Sequence, residues 1–523
     1  MNGAEKSRNS VLKGTISLTI ATITVKIIGL IYKIPLTRFL GEEGMGYFNS
    51  AYTVYAFFYI LCTAGVPKAV TILISEARGA GRVGDDRKTA RVALGMFTFV
   101  GILVTLTFFL LSSPLSILIG NSRACYTMLA IAPSILFISV SAVIRGYLSA
   151  DMEFSVIAVS QIIEGVGKLG VGLAFAMIAT KAGLPLPIIS ALTILGVSVG
   201  AIFGLVYLLV SGKRNSSRGS SNIRISRKER REIAKRILSI SLPITFSAAV
   251  MSITGIIDLL QIMRGLASLG YSEDVASALY GNYTTLAVPM FNLAIAVITP
   301  VSVAYMPILA RARAKEDEEL LERSIRSALE FSAFLSAPLL VGLFCYSSEA
   351  LHLLFGNTGN ELGSKLLLLL LPSVFFTSNL LITNSLLEAC GVVKAPVLSM
   401  LVGGALKVFV SFFLIRNPEY TIAGAPIGTV VSYASALAVS LAIAAKKVRC
   451  RIPILESSLL PYASAVVAIL PTKILHGFLK NALSSDIAFL FILPIAMLSY
   501  LILTVITGVF GKKKLNEMSK YTN

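Results

Sequence analysis

The chain is 523 residues long, 55% hydrophobic and only 14% charged, whereas soluble domains run about 25% charged. Apolar runs recur along its whole length, each reaching the roughly 20 residues a helix needs to cross a bilayer, which excludes a water-soluble globular protein. The net charge of +19 gathers in alternate loops and tails, so it reports topology and not a nucleic-acid partner.

Fourteen spans are predicted, at 12–37, 47–74, 92–113, 124–147, 154–180, 184–211, 237–262, 280–307, 328–350, 364–386, 393–415, 421–445, 457–477 and 486–510. The first apolar run is too long for a cleaved signal peptide, carries Lys26 and lacks a small-residue cleavage site, so it is expected to be retained. The first two spans hold lysines where a lipid-facing helix should hold none. Lys26 lies near the middle of the first run, Lys33 two turns on and on the same face, and Lys68 well inside the second. A cation at the bilayer centre costs about 2.5–3.5 kcal/mol on insertion scales, so such residues face a bundle interior or a watery cavity. Snorkelling to headgroups or pairing with a neighbouring carboxylate is the competing explanation.

Further along, Lys168 and Lys407 fall near the middle of the fifth and eleventh spans. Glu164 precedes Lys168 by one turn, the favourable order for an ion pair within one helix. Lys407 has no acid on its own helix, and Gly403-Gly404 one turn earlier allows close approach by a neighbour. Asp258 in the seventh span occupies the repeat position of Tyr32, beside that of Lys33. It is expected either to gate the outer mouth by pairing with Lys33 or to pair locally with Arg264.

Segment 212–236 is the one evident linker: a basic, Ser/Asn/Gly-rich stretch followed by 226–232, which is predicted to be a helix on the inner membrane surface drawn to anionic lipid, a solvated connector in preference to a regulatory docking site. Residues 311–326 mix both charge signs and predict an exposed helical turn with ion pairs. The five cysteines are scattered, and His352 and His476 stand alone in short loops, so no metal or disulfide framework is expected. The basic segments at 6–13, 78–91, 213–236, 311–326, 446–451 and 512–514 fall on one side when the span count is even and both termini are cytoplasmic.

The chain repeats itself. Gly29 and Arg38 recur as Gly255 and Arg264, and Asn49, Pro67 and Arg78 recur as Asn282, Pro300 and Arg311 with both intervals kept. Pro133-Ser134, Phe137, Ser160, Lys168, Pro187 and Ile188 recur at a constant offset of 239 as Pro372-Ser373, Phe376, Ser399, Lys407, Pro426 and Ile427. The expected architecture is therefore an all-α integral membrane fold. Two pseudo-symmetric six-helix lobes, 1–211 and 237–445, surround a central cavity, and 446–523 adds two helices and a basic cytoplasmic tail. Repeats inserted the same way up build transporters with a midplane substrate site. Lys26, Lys33, Lys68, Lys168 and Lys407 against Glu164 and Asp258 make that interior net basic, suited to a phosphate-bearing cargo.

At Val25-Lys26-Ile27-Ile28-Gly29, Arg38-Phe39-Leu40-Gly41 and Gly65-Val66-Pro67, the sequence resembles the stage V sporulation protein B group of polysaccharide-type flippases. These are relatives of the MurJ lipid II flippases, in the superfamily that includes multidrug and toxin extruders. The resemblance implies a rocking flippase of the bacterial plasma membrane, not an enzyme and most simply a monomer. It would move an undecaprenyl-diphosphate-linked sugar for peptidoglycan or spore-cortex assembly, with the last two helices forming a groove for the lipid tail. The lipid II flippases carry an Arg that matches Lys26; their next falls on Tyr32, and their second-helix Arg has no basic match near Tyr59. No cofactor is implied beyond a coupling cation, and cell-wall synthesis enzymes are the partners it suggests. An ion-coupled drug exporter, a membrane glycan-assembly enzyme and a scaffold are the alternatives. The basic interior disfavours the exporter, and the enzyme lacks an acidic cluster in any outer loop.

Overall fold

The computed structural model of the chain describes residues 2–82, 84–215, 225–315, 317–356, 359–448, 450–481 and 483–508, without the side chains of 2–23, 25–27, 30–31, 212–215, 247 and 250–251. Among the described residues there are seventeen α-helices and no strand. The chain divides into two compact units, one of Met1–Ala267 with Tyr271–Gly281, the other of Ser268–Gly270 with Asn282–Asn523.

The first unit holds α1 (Asn2–Thr63), α2 (Val66–Gly79), α3 (Asp85–Ile119), α4 (Ala124–Ile131), α5 (Pro133–Ala150), α6 (Phe154–Lys181), α7 (Leu186–Asn215), nearly all of α8 (Arg227–Ser268) and most of α9 (Glu273–Asn282). Two residues interrupt the regularity of α1. Gly41 kinks the helix at φ 62°, ψ −169°, a conformation only glycine adopts cheaply, and Pro35 lies inside it. Within this unit α5 packs against α2, α3 and α7, and α6 lies along α7.

The second unit holds α10 (Val288–Ala314), α11 (Glu318–Phe355), α12 (Asn360–Leu370), α13 (Pro372–Ala389), α14 (Ala395–Ile415), α15 (Gly424–Lys447), α16 (Ile454–Lys480) and α17 (Ser485–Ile506). A π-helical turn, Tyr283–Ala287, leads into α10. Here α13 packs against α10, α11 and α15, and α14 lies along α15. The two patterns match the sequence repeat. In each unit one helix ends two residues before the repeated proline, at Ile131 or Leu370, and a new one starts on Pro133 or Pro372. Proline suits the first helical position because its missing N–H would find no partner there anyway.

Among the described residues eleven helices are long and apolar enough to cross a membrane, or twelve if the bent pair α12–α13 is one span. The two remaining predicted spans, 12–37 and 237–262, include side chains outside the described residues. The division into units follows packing, whereas the predicted boundaries at 211, 236 and 445 follow the repeat. α8 falls with the first unit because it touches it closely. A Cβ built on Gly65 would stand 2.2 Å from the Ser241 carbonyl oxygen, and Arg264 donates to the Ile117 and Leu118 carbonyls, both at 2.9 Å.

Two expectations need correction. The start of α8 is not only a surface connector: it docks on α2 and α3. Lys88 Nζ lies 2.8 Å from Glu229 and Arg236 lies 2.7 Å from Glu76, while Ile233 and Ile237 pack on the cluster that contains Leu73 and Ile74. Lys88, aided by Ser226, holds the Glu229 carboxyl down to about 2. Nor do the histidines stand alone in loops. His352 in α11 meets Asp486 of α17 at 2.7 Å, and His476, buried within α16, has Nδ1 3.8 Å from Glu349 of α11. The sequence reading placed both in short loops because hydropathy fades there, and it could not show that the ends of three helices meet.

Candidate substrate-binding site

Beyond the Gly41 kink, α1 carries a row of aromatic residues. Tyr52, Tyr55 and Tyr59 are spaced by three and four, so they share one helical face. Their ring centroids are 5.7 and 5.9 Å apart, the tilted spacing aromatic pairs favour. Phe48 and Tyr32 continue the row. Across from it stands α6, held tightly against α7 by glycines. A Cβ on Gly200 would stand 2.5 Å from the Glu164 carbonyl oxygen and 2.8 Å from Lys168 N. A Cβ on Gly196 would meet the Lys168 carbonyl oxygen at 2.8 Å. Backbone contact of this kind fixes where Lys168 and Glu164 emerge from α6.

Between α1, α5, α6 and α7 lies a cavity of about 380 Å³. Its walls include Tyr52, Tyr55, Tyr59, Arg145, Glu164 and Lys168. Arg145 Nη2 of α5 lies 2.7 Å from Glu164 Oε2. This replaces the predicted Glu164–Lys168 pair within one helix: a planar guanidinium from the neighbouring helix meets the carboxylate better than a lysine one turn away. Lys168 Nζ instead rests 5.0 Å from the centre of the Tyr52 ring and 5.4 Å from that of Tyr32. Such cation–π contacts are worth about 0.5–2 kcal/mol. Among the described residues no carboxylate lies within ion-pair distance of Lys168.

The predicted site residues separate as follows. Lys33 on α1 is half-buried and is absent from the cavity wall. Lys33, Glu164 and Lys168 all belong to the first unit, and of these Glu164 and Lys168 share the cavity wall. The Lys26 side chain lies outside the described residues. Lys68 is exposed on α2 and is absent from the cavity wall. Asp258 is half-buried on α8, and the Arg264 guanidinium caps the carboxyl end of α3. Lys407, half-buried on α14, belongs to the second unit. Its helix meets α15 as closely as α6 meets α7, with a Cβ on Gly403 only 2.5 Å from the Ser432 carbonyl oxygen. Sequence reasoning missed Arg145 and the tyrosines. Arg145 lies inside the predicted span 124–147, where a cation is as anomalous as Lys68, and the three-four spacing of the tyrosines was open to the same helical reasoning.

The second unit contains an apolar cavity of about 690 Å³ between α10, α11, α16 and α17. Leu293, Leu343, Leu354, Leu493 and Met497 line it. The two predicted C-terminal helices therefore wall a space without charge.

The sequence pattern described as "Polysaccharide biosynthesis protein" matches residues 11–313, and that described as "MatE" matches residues 243–413. The chain is 24% identical over 490 residues to the stage V sporulation protein B of Bacillus subtilis (strain 168), covering 92% of this chain and 91% of that one. It is 22% identical over 461 residues to the lipid II flippase MurJ of the same organism, covering 82% and 81%. Its fold is similar to a solved inward closed conformation of the lipid II flippase MurJ, with TM-score 0.71, 17% identity and coverage of 94% and 98%. With the first pattern spanning more than half its length, this chain belongs to the polysaccharide biosynthesis protein family, and its relatives are flippases and transporters of membranes, not enzymes.

Proposed function

We propose that the chain is a flippase for an undecaprenyl-diphosphate-linked sugar, carrying it from the inner to the outer leaflet of the bacterial plasma membrane. The observation that carries this reading is Lys168. It is a cation on a cavity wall, resting on tyrosine rings, with the nearby acid already engaged by Arg145. An ammonium so placed gains more from an arriving anion than from a neutral or cationic cargo, and a phosphate meets it as a point charge. Lys33 adds a further cation to the first unit and Lys407 one to the second, and in this reading both, with Lys26, serve the anionic cargo. The apolar cavity of the second unit suits the isoprenoid tail. Names of relatives, stage V sporulation protein B and lipid II flippase, agree with a peptidoglycan or spore-cortex precursor as cargo.

In this reading the full protein has fourteen spans, two six-helix lobes and both termini in the cytoplasm. It works as a monomer alongside cell-wall synthesis enzymes, with Asp258 and Lys33 opening and closing the outer mouth. A cation-coupled exporter is the second reading, favoured by the match to the "MatE" pattern. The cavity's balance of Lys168 and Arg145 against Glu164 opposes it. Reconstituted vesicles distinguish the two: the protein should move a fluorescent diphosphate-linked lipid and leave a cationic dye where it is, and the reverse result would favour the exporter.

A further inference from the structure

The cavity of the first unit holds a second chemistry beside the cation. Arg145 and Glu164 cancel as charges at 2.7 Å, and Arg145 Nε also donates to Ser160 Oγ at 3.3 Å. A guanidinium has five N–H donors and a carboxylate about four acceptor sites, so this pair still has hydrogen-bonding capacity to offer. An anion arriving at Arg145 would have to displace Glu164, whereas a neutral hydroxyl can bond to both. Gln161, on the same wall one turn before Glu164, adds an amide donor and acceptor. The Tyr52 side, 39% exposed, and Tyr59 supply aromatic surface. Flat aromatic faces that meet C–H groups, beside planar amide, carboxylate and guanidinium groups that meet hydroxyls, form the chemistry of a sugar-binding site. At about 30 Å³ per water, the cavity of about 380 Å³ holds roughly a dozen waters, which leaves room for one hexose.

We propose that this cavity reads one sugar of the headgroup: Tyr52 and Tyr59 take its apolar face, and Gln161, Arg145 and Glu164 take its hydroxyls. Lys168 binds the adjoining diphosphate. The inference rests on the flippase reading and assigns a division of labour within it. It also orders the two contacts. Lys168 covers the Tyr52 ring at 5.0 Å, so an anion that draws the ammonium aside uncovers the surface on which the sugar lies.

The test is binding to the full chain in lipid nanodiscs, with undecaprenyl diphosphate and the same lipid bearing one N-acetylglucosamine as probes. Wild type should hold the sugar-bearing lipid about tenfold more tightly, and Gln161→Leu or Tyr52→Leu should cut that advantage roughly three- to tenfold. Tyr52→Phe, which keeps the ring, should retain it, and Lys168→Ala should weaken both lipids. Equal affinity of wild type for the two lipids overturns the sugar subsite and leaves the flippase reading standing. So does loss of both lipids in equal measure in Gln161→Leu and Tyr52→Leu. If wild type holds neither lipid, the flippase reading falls and the subsite falls with it.

Discussion

Arg145 on α5 reaches Glu164 on α6 at 2.7 Å, and both side chains are largely shielded from solvent. That single contact determines the electrostatics of the cavity, because it occupies the acid that Lys168 would otherwise use. Hydrogen bonds to charged groups contribute about 1.5–3 kcal/mol, and a partner left alone in a shielded site costs more than the pair is worth. Glu164→Gln should lower stability by about that amount, read as a drop in thermal unfolding midpoint of the protein in nanodiscs. Removing both partners in Arg145→Leu/Glu164→Leu should recover part of the loss. Purely additive losses would show that the pair is not coupled.

The position of Lys168 depends on the glycines beneath it. Gly200→Val would place side-chain atoms where the α6 backbone already stands, with Cβ at 2.5 Å from the Glu164 carbonyl oxygen. Overpacking of this kind costs about 1–3 kcal/mol. Transport should fall more than stability alone explains, because α6 must move away and carry both functional side chains with it. A matched unfolding and transport series on Gly200→Ala and Gly200→Val measures this, and retained transport in Gly200→Val would contradict it.

The apolar cavity offers a substitution that should fold. A Cβ on Gly342 meets nothing within 4 Å, and Gly342 lines the cavity. Gly342→Leu should fill space without clashing, so the unfolding midpoint should hold or rise slightly. Movement of a long-chain diphosphate lipid should drop, while that of a short-chain analogue should be spared. Equal effects on both chain lengths would argue that the tail does not lie there.

The docked start of α8 gives a pH prediction with a definite sign. Lys88 holds Glu229 down to about 2, below the ordinary carboxylate range, so its contribution is fully present above that range. It is lost only as pH falls through the ordinary value towards the lowered one. The distance between spin labels on α3 and the start of α8 should stay constant from pH 8 to pH 6. Glu229→Gln should change it little in low salt, since exposed ion pairs contribute modestly and the apolar contacts of Ile233 and Ile237 remain. Release of the segment by Glu229→Gln alone would show that the ion pair, and not the apolar contact, holds it.

Much of this fold was legible in the sequence. Hydropathy located most of the spans, and the repeat paired Pro133 with Pro372 and Lys168 with Lys407. Both prolines fell inside the predicted spans 124–147 and 364–386, however, and hydropathy did not show that each opens a new helix. The site was legible only in part. A lysine in an apolar run announces itself by its cost, but its partner is chosen in three dimensions. Glu164 is one turn from Lys168 in sequence, yet Arg145, nineteen residues away, has the better approach. The histidines failed for the same reason. His352 and His476 are far apart along the chain, and only the meeting of α11, α16 and α17 gives each a carboxylate.

The most direct test is transbilayer movement of a fluorescent undecaprenyl-diphosphate-linked sugar in vesicles containing wild type, Lys168→Ala or Lys168→Arg. Loss of one charge contact to phosphate should slow movement about tenfold or more in Lys168→Ala, with Lys168→Arg restoring part of the rate. Wild-type rates in Lys168→Ala would contradict the account, because the cavity cation would then have no cargo to hold.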